Sequence, residues 1–128
     1  EEYEKHFHPM FRKHDMDIAF LITPRTPDSR IRHIDAVTNS FIYMVSSNAI
    51  TGARAGIEAG QKDYFKRIDD MKLRNPRLVG FGISNKETFT TACERASGAI
   101  IGSAFINALE GEGIIDLKVK KFISKIIG

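Results

Sequence analysis

The sequence predicts a parallel α/β fold in which one helix precedes four consecutive βα units. The first observation behind this prediction is that four short, nearly continuous apolar runs alternate with amphipathic stretches along the chain. Apolar runs without polar alternation are typical of strands buried on both faces, as the strands of parallel sheets are. The second observation is that the spacing of the runs leaves room for one helical crossover between each pair of strands.

The four predicted strands lie at residues 18–22, 41–45, 78–83 and 99–101, and turn residues follow them. The residues before the first strand have helical spacing, which predicts a helix at the start of the chain. Pro9 stands inside that pattern, so we expect the helix to kink or restart there.

Three crossover helices carry sequence signals at their ends. Thr26 is expected to cap the first helix, with Pro27 as its first residue. The second helix is predicted over residues 61–73 and ends before a proline, because the residue preceding proline avoids the helical region. Ser84 and Glu87 have the spacing of a capping box, which predicts the start of the third helix.

The end of the chain predicts a short helical piece at 104–109 and then a longer amphipathic helix. We expect the apolar side of the longer helix to pack against the rest of the fold, and its other side to face water. The apolar side carries Ile115, Val119, Phe122, Ile123 and Ile126, and Lys118, Lys120, Lys121 and Lys125 lie largely on the other.

Composition excludes several classes of protein. The net charge is +3, from 19 Lys and Arg against 16 Asp and Glu, and this small, dispersed excess does not indicate a nucleic-acid surface. The single cysteine excludes an intramolecular disulfide framework and a zinc ribbon. No apolar run approaches the roughly 20 residues that span a bilayer, and no leader pattern opens the chain. We therefore expect a soluble protein of a reducing compartment, without a membrane or metal partner, whose chain starts downstream of the natural start because residue 1 is Glu.

Glycines stand at the ends of the last two predicted strands, the edge where ligands bind in β/α folds. The third strand ends in Gly80-Phe81-Gly82-Ile83-Ser84, and the fourth ends in Gly102-Ser103 and is followed by a helical piece. Glycine lets a ligand approach the backbone, and amides at a helix N-terminus favour anions, so the pattern predicts a phosphate site. The alternative is that these glycines only ease strand packing or allow a turn.

Three motifs carry a resemblance to a known family. FIYMVSSNAITG (41–52), GFGIS (80–84) and GAIIGSA (98–104) resemble the tryptophan synthase alpha subunit, in the same order and with similar spacing. The resemblance implies that residues 1–128 form a single domain, the C-terminal half of an eight-stranded parallel β/α (TIM) barrel. A complete barrel needs roughly 250 residues, about twice the length of this chain.

The resemblance also implies an activity and a set of site residues. The family is a lyase that cleaves indole-3-glycerol phosphate to indole and glyceraldehyde 3-phosphate, a retro-aldol step of tryptophan biosynthesis that needs no cofactor, and the resemblance implies a cytoplasmic protein. It implies that the substrate phosphate lies against Gly52, Gly82, Gly102 and Ser103. It implies that Gly80 and Phe81 flank the glycerol phosphate, that Leu21 and Tyr43 wall the indole pocket, and that Thr51 lies on a lid loop.

The resemblance places both catalytic carboxylates, a glutamate and an aspartate, before residue 1. No catalytic residue is therefore expected in this chain, and we expect the chain alone to be inactive. The family's partner is a β subunit that uses pyridoxal phosphate. Two alternatives stay open: a non-catalytic half-barrel scaffold that self-associates through exposed sheet edges, and another phosphate-binding barrel enzyme.

Overall fold

A four-stranded parallel sheet forms the centre of the molecule. The computed structural model describes residues 2–45, 59–80 and 82–128. In this part of the chain the strands are β1 (Phe20–Ile22), β2 (Ile42–Val45), β3 (Arg77–Gly80) and β4 (Gly98–Ile100). They pair in the order β1-β2-β3-β4, each parallel to the next. Spatial order thus equals chain order, as in a β/α barrel, and the order does not reverse as it does in a doubly wound sheet.

Helices occupy the connections between the strands. One π-helical turn (Tyr3–Phe7) leads directly into α1 (His8–Lys13), whose first turn contains Pro9, so the expected restart of the helix is confirmed. The remaining helices are α2 (Asp28–Val37), α3 (Ala59–Asp70), α4 (Lys86–Cys93), α5 (Ser103–Leu109) and α6 (Ile115–Ile127). None of the helices in the described ranges has the length and apolar character to span a membrane.

Two predicted helix starts are wrong by one residue. Pro27, with extended backbone angles, precedes α2 and takes the cap position expected for Thr26. The Thr26 hydroxyl instead accepts a hydrogen bond from the Thr23 amide at 2.9 Å, which shapes the turn before the helix. Asn85, rather than Ser84, caps α4: its Oδ1 accepts from the Thr88 amide at 2.9 Å. Thr88 replaces Glu87 as the reciprocal partner of the capping box.

The core lies between one face of the sheet and the helices. Strand alternation places Ile22, Ile42, Met44 and Val79 on this helix-covered face, and all four are at most 1% exposed. Ile31 and Ile34 of α2, Tyr64, Phe65 and Ile68 of α3, and Ala92 of α4 complete the same buried cluster. Apolar burial here supplies the main driving force for the fold.

The opposite face of the sheet, called here the open face, carries Leu21, Tyr43, Leu78 and Ile100. Leu21 is 63% exposed, and the other three side chains are half-buried. The expectation of strands buried on both faces is therefore wrong for this chain taken alone. The physical reason is that α2, α3 and α4 all pack on the other side of the sheet.

Helix α6 also packs only in part. Ile126 is buried and Phe122 and Val119 are half-buried, but Ile115 is 64% and Ile123 47% exposed. The predicted apolar side is thus too broad for the contacts α6 makes, because this helix touches α4 and α5 over only part of its surface.

A side-chain network closes the edge of the sheet where the strands begin. The Asp35 carboxylate of α2 accepts from the backbone amides of Arg74 (2.8 Å) and Asn75 (2.9 Å) and from the Asn75 side chain (2.8 Å). In return, Arg74 Nη2 donates to the carbonyl oxygens of Asp35 and Thr38 at 3.0 and 2.9 Å, where α2 ends. The turn before β3 is thereby fixed against the C-terminus of α2.

The same contacts set the pKa of the Asp35 carboxyl. Partial burial raises the pKa, but the hydrogen bonds from Arg74 and Asn75, together with the Arg74 charge, bring it below its ordinary value of 3.8. Stabilisation by this carboxylate is therefore present above that ordinary value and is lost as the pH falls through the lower pKa of the folded state.

The substitution Asp35→Asn should lower the free energy of unfolding by about 2 kcal/mol at neutral pH. It removes a charged acceptor, and it places a side-chain NH₂ donor near the backbone amides of Arg74 and Asn75, which are donors as well. Urea denaturation at pH 7 and pH 3 measures this loss. We expect the difference between the two chains to shrink as the pH falls below 3.8, since Asp35 of the unsubstituted chain becomes protonated first in the unfolded state and then, through its lower pKa, in the folded state.

Asp70→Asn is the matched control for that substitution. Asp70 accepts from Lys66 at 2.6 Å across one exposed helical turn, and solvent screens such pairs. A loss for Asp70→Asn as large as that for Asp35→Asn would contradict the assignment of a structural role to the Asp35 network.

Candidate functional site

The ends of β3 and β4 bring two of the predicted site residues to one edge of the sheet. Gly80 and Ile100 are the last described pair between these strands. Gly82 and Gly102 each follow that pair by two residues, so both lie where neighbouring parallel strands end, called here the carboxyl edge. Loops at this edge are where ligands bind in barrels of this class.

Of three glycines at this edge, two have a structural reason to be glycine and the third has none. Gly82 has φ +74°, a conformation that side chains disfavour, so a turn explains it. Gly80 is buried, and a Cβ built there would overlap the phenol ring of Tyr43, so packing explains it. Gly102 has φ −103° and no atom within 4 Å of a built Cβ, so neither a turn nor packing requires its missing side chain.

Gly102 and Ser103 form the start of α5 and are both exposed. The Gly102 carbonyl accepts from the amides of Phe105 (3.0 Å) and Ile106 (3.1 Å), which begins the helix. The first amides of a helix have no acceptor within that helix, so those at Ser103 and Ala104 are available to a partner outside α5. The empty space beside Gly102 lets a ligand approach these amides and the Ser103 hydroxyl.

The predicted pocket residues Leu21 and Tyr43 lie side by side on the open face. They are paired residues of β1 and β2, and the Tyr43 ring extends towards the carboxyl edge over Gly80. Leu21 exposes most of its side chain. The structure thus brings Leu21, Tyr43 and Gly80 onto one surface, and this surface leads to the edge that carries Gly82 and Gly102.

Thr51, Gly52 and Phe81 lie outside the described residues. The first two belong to the connection between β2, which ends at Val45, and α3, which begins at Ala59. Phe81 stands between Gly80 and Gly82. Their roles at the site stay predictions.

A second group of contacts fixes the loop that follows β1 at the same edge. Arg67 of α3 donates to the carbonyl oxygens of Pro24 (3.3 Å) and Thr26 (2.9 Å), and it lies 3.6 Å from a carboxylate oxygen of Asp28. Its guanidinium also stands 5.8 Å from the centre of the Tyr64 ring. Arg67 was not among the residues predicted from the sequence, because a long-range hydrogen bond to a backbone carbonyl leaves no local pattern.

Helix α5 is fixed by two side chains of α6. Phe122 packs edge-on against Phe105, with ring centres 5.3 Å apart. Lys118 Nζ lies 2.9 Å from each of the carbonyl oxygens of Leu109 and Glu110 and also donates to Gly111. The prediction that placed Lys118 with the water-facing lysines is therefore wrong. The signal for its role is the break after a short helix, since lysine can bind the last carbonyls of a helix.

Two other features of the described residues do not form a site. A cavity of about 180 Å³ lies between α3 and α4 and is lined by charged side chains that include Lys62, Lys66, Glu94 and Arg95. It lies between helices rather than at the carboxyl edge, and Lys66 and Arg95 already face Asp70 and Asp69. Within the described ranges, no three His, Cys, Asp or Glu side chains are grouped to hold a metal ion.

Four βα units wound in chain order, with exposed backbone at the carboxyl edge, define a protein of the β/α-barrel class. A family model described as tryptophan synthase alpha chain matches residues 1–124. The chain belongs to the tryptophan synthase alpha chain family, which confirms the family that the three motifs predict.

The relatives of the chain are about twice its length. It is 50% identical to the tryptophan synthase alpha chain of Flavobacterium psychrophilum over 124 residues, which are 97% of this chain and 48% of the relative. It is 52% identical to that of Bacteroides fragilis over 112 residues, 88% of this chain and 43% of the relative. In the solved α2β2 tryptophan synthase complex of Pyrococcus furiosus, one chain matches with a TM-score of 0.79 and 33% identity, over 97% of this chain and 50% of that one. The chain thus spans about half the length of the curated relatives it matches.

Gly80→Ala should lower the free energy of unfolding by about 1–2 kcal/mol, because the added methyl group displaces the Tyr43 ring from its place over the strand. The displacement is visible as a changed NMR signal of the Tyr43 ring. In a Tyr43→Val background the ring is absent, and the same substitution should cost less.

Gly60→Ala is the matched control for Gly80→Ala. Gly60 is exposed in α3 and has no atom within 4 Å of a built Cβ, so alanine should stabilise the chain by up to about 1 kcal/mol through helix propensity. An equal cost of Gly80→Ala with and without the Tyr43 ring would show that the ring does not fill this space.

Proposed function

We propose that this chain supplies the phosphate-binding half of a tryptophan synthase alpha subunit. The observation that carries the proposal is the pairing of Gly80 with Ile100, which puts Gly82 and Gly102 at the ends of adjacent strands in a chain of this family. The reaction is the retro-aldol cleavage of indole-3-glycerol phosphate to indole and glyceraldehyde 3-phosphate, in tryptophan biosynthesis in the cytoplasm.

The substrate phosphate is held by backbone amides and one hydroxyl. A phosphate dianion accepts several hydrogen bonds at once, and outward-pointing amides at a helix start satisfy it without a charged side chain. The amides at Gly82, Gly102 and Ser103 and the Ser103 hydroxyl supply these donors, together with Gly52. Anchoring the phosphate fixes the rest of the substrate relative to the open face, where Leu21 and Tyr43 wall the indole pocket.

The remaining roles follow the family pattern. Phe81 and Gly80 flank the glycerol phosphate, and the loop that bears Thr51 closes over the bound substrate. Closure of such a loop excludes water and completes the site. The described exposed position of Gly102 and Ser103 supports a phosphate site that is open before closure.

The chemical step needs groups that we place outside this chain. Cleavage of the carbon–carbon bond requires a general acid/base, and proton transfer by a positioned side chain contributes about 10²–10⁴-fold to a rate. The family's two carboxylates belong to the half of the barrel that precedes residue 1. The chain alone therefore binds the phosphate end of the substrate and does not turn it over.

The open face supports a partner that completes the barrel. A second copy of the chain would also supply four parallel strands, which is the basis of the self-associating scaffold. In such a pair, β4 of one copy would lie beside β1 of the other. The start of the chain covers β1, where Tyr3 packs on Phe20 with 4.9 Å between ring centres, and α6 follows β4. The start of one copy and α6 of the other would therefore compete for the same space at each junction. We therefore favour a complementary β/α half-barrel as the partner, and a β subunit as the partner of the complete alpha subunit.

Titration of glyceraldehyde 3-phosphate into the ¹⁵N-labelled chain should shift the amide signals of Gly82, Gly102 and Ser103. Gly102→Asp should abolish these shifts, since a carboxylate then occupies the space next to the amides and repels the phosphate. Ser124→Asp, an equal charge change at an exposed position of α6, should bind like the unsubstituted chain. Signals that stay in place in the unsubstituted chain would refute the phosphate site.

Release of indole from indole-3-glycerol phosphate should be undetectable with the chain alone. A chain that carries the same residues after a complete N-terminal half of the family's barrel should release indole. Absorbance of the liberated indole measures both reactions. Turnover by the 128-residue chain would show that an acid/base lies within it and that the assignment of both carboxylates to the preceding half is wrong.

A further inference from the structure

The ammonium group of Lys118 is bound by the backbone of the turn between α5 and α6. Its ammonium group has three N–H donors, and three backbone carbonyl oxygens accept from it: those of Leu109, Glu110 and Gly111. The side chain is half-buried, although it is a lysine on an amphipathic helix. Every N–H donor of Lys118 is thus used within the fold, and its three acceptors are backbone carbonyl oxygens, not carboxylates.

These carbonyls belong to the end of α5 and the turn that follows. Leu109 is the last residue of α5, and Glu110 caps the helix. The last carbonyls of a helix carry partial negative charge and have no N–H donor within it, so the ammonium group of Lys118 stabilises them directly. Gly111 and Gly113 have φ values of +77° and +126°, which glycine adopts readily, and neither residue has a side chain that could hold the turn.

Helix α5 has only seven residues, so its two ends move together. An isolated helix of this length is unstable in water, and packing must hold it in place. Phe122 fixes the middle of α5 through Phe105, and Lys118 fixes its C-terminal end. Both lie on one side of α6, since they are four residues apart. The position of Gly102 and Ser103, at the other end of α5, therefore depends on α6.

We propose that Lys118 is a positioning residue for phosphate binding, which holds α5 so that the backbone at Gly102 and Ser103 faces the ligand. This inference rests on the proposed function of those two residues. Lys118 does not touch the phosphate. It binds the carbonyl oxygens at the C-terminal end of α5, and α5 transmits this restraint to Gly102 and Ser103 at its other end. The position of Lys118 and the affinity for phosphate are therefore coupled.

The test compares Lys118→Met with Lys120→Met in the ¹⁵N-labelled chain. Both substitutions remove one positive charge from α6, but Lys120 is exposed, so the control corrects for the general attraction of an anion. Before ligand is added, Lys118→Met should move the amide signals of Gly102 and Ser103, and Lys120→Met should leave them in place. In a titration with inorganic phosphate, Lys118→Met should weaken binding about tenfold, within the usual range of such couplings, and Lys120→Met less than about twofold.

The outcomes separate this inference from the function on which it rests. Failure of the unsubstituted chain to bind phosphate overturns the proposed function and this inference with it. Phosphate binding that is as tight in Lys118→Met as in Lys120→Met overturns this inference alone.

A second measurement applies if Lys118→Met does not fold. Coupling is reciprocal, so saturating phosphate should slow hydrogen exchange of the Lys118 ammonium protons in the unsubstituted chain. Exchange that is unchanged while the Gly102 and Ser103 signals shift would overturn the positioning role.

Discussion

Parallel pairing of four strands in chain order is the constraint on which the other features of this molecule depend. It puts every crossover helix on the same side of the sheet, and so it separates a buried face from the open face. It also brings all four strand ends to one edge, since parallel strands end together. The pairing of Gly80 with Ile100 then determines which two loops are neighbours. Fold and candidate site thus follow from the same ladder of backbone hydrogen bonds.

Much of this architecture could be predicted from the sequence, because it depends on local patterns. The apolar runs gave four strands within a few residues of their observed bounds, and Pro9 gave the restart of the first helix. The contacts that fix the loops could not be predicted, because they join residues far apart in the chain. Lys118 shows the physical reason. The helical period of the sequence predicts that each lysine of α6 faces water, but the fold brings backbone carbonyl oxygens next to Lys118, and these bind its ammonium group in place of water.

The prediction of the site divides in the same way. A glycine after a strand indicates a close approach of some kind, but not whether a side chain, a turn or a ligand makes it. The structure answers this separately for Gly80, where the Tyr43 ring lies, for Gly82, where the backbone turns, and for Gly102, where the space is empty. Of these three glycines, only Gly102 has no structural need to lack a side chain. The resemblance to the family explains it as a place where the substrate phosphate approaches the backbone.

The exposed leucine of β1 has a thermodynamic consequence. The heat-capacity change of unfolding comes mainly from apolar surface that is dry in the folded protein and wet in the unfolded chain. Leu21 and its neighbours on the open face are already largely or partly in contact with water. Their release therefore adds less to that change than the same residues would add inside a closed barrel. The stability of this chain accordingly varies less steeply with temperature than that of a fully enclosed protein of equal length, and it has a shallower maximum.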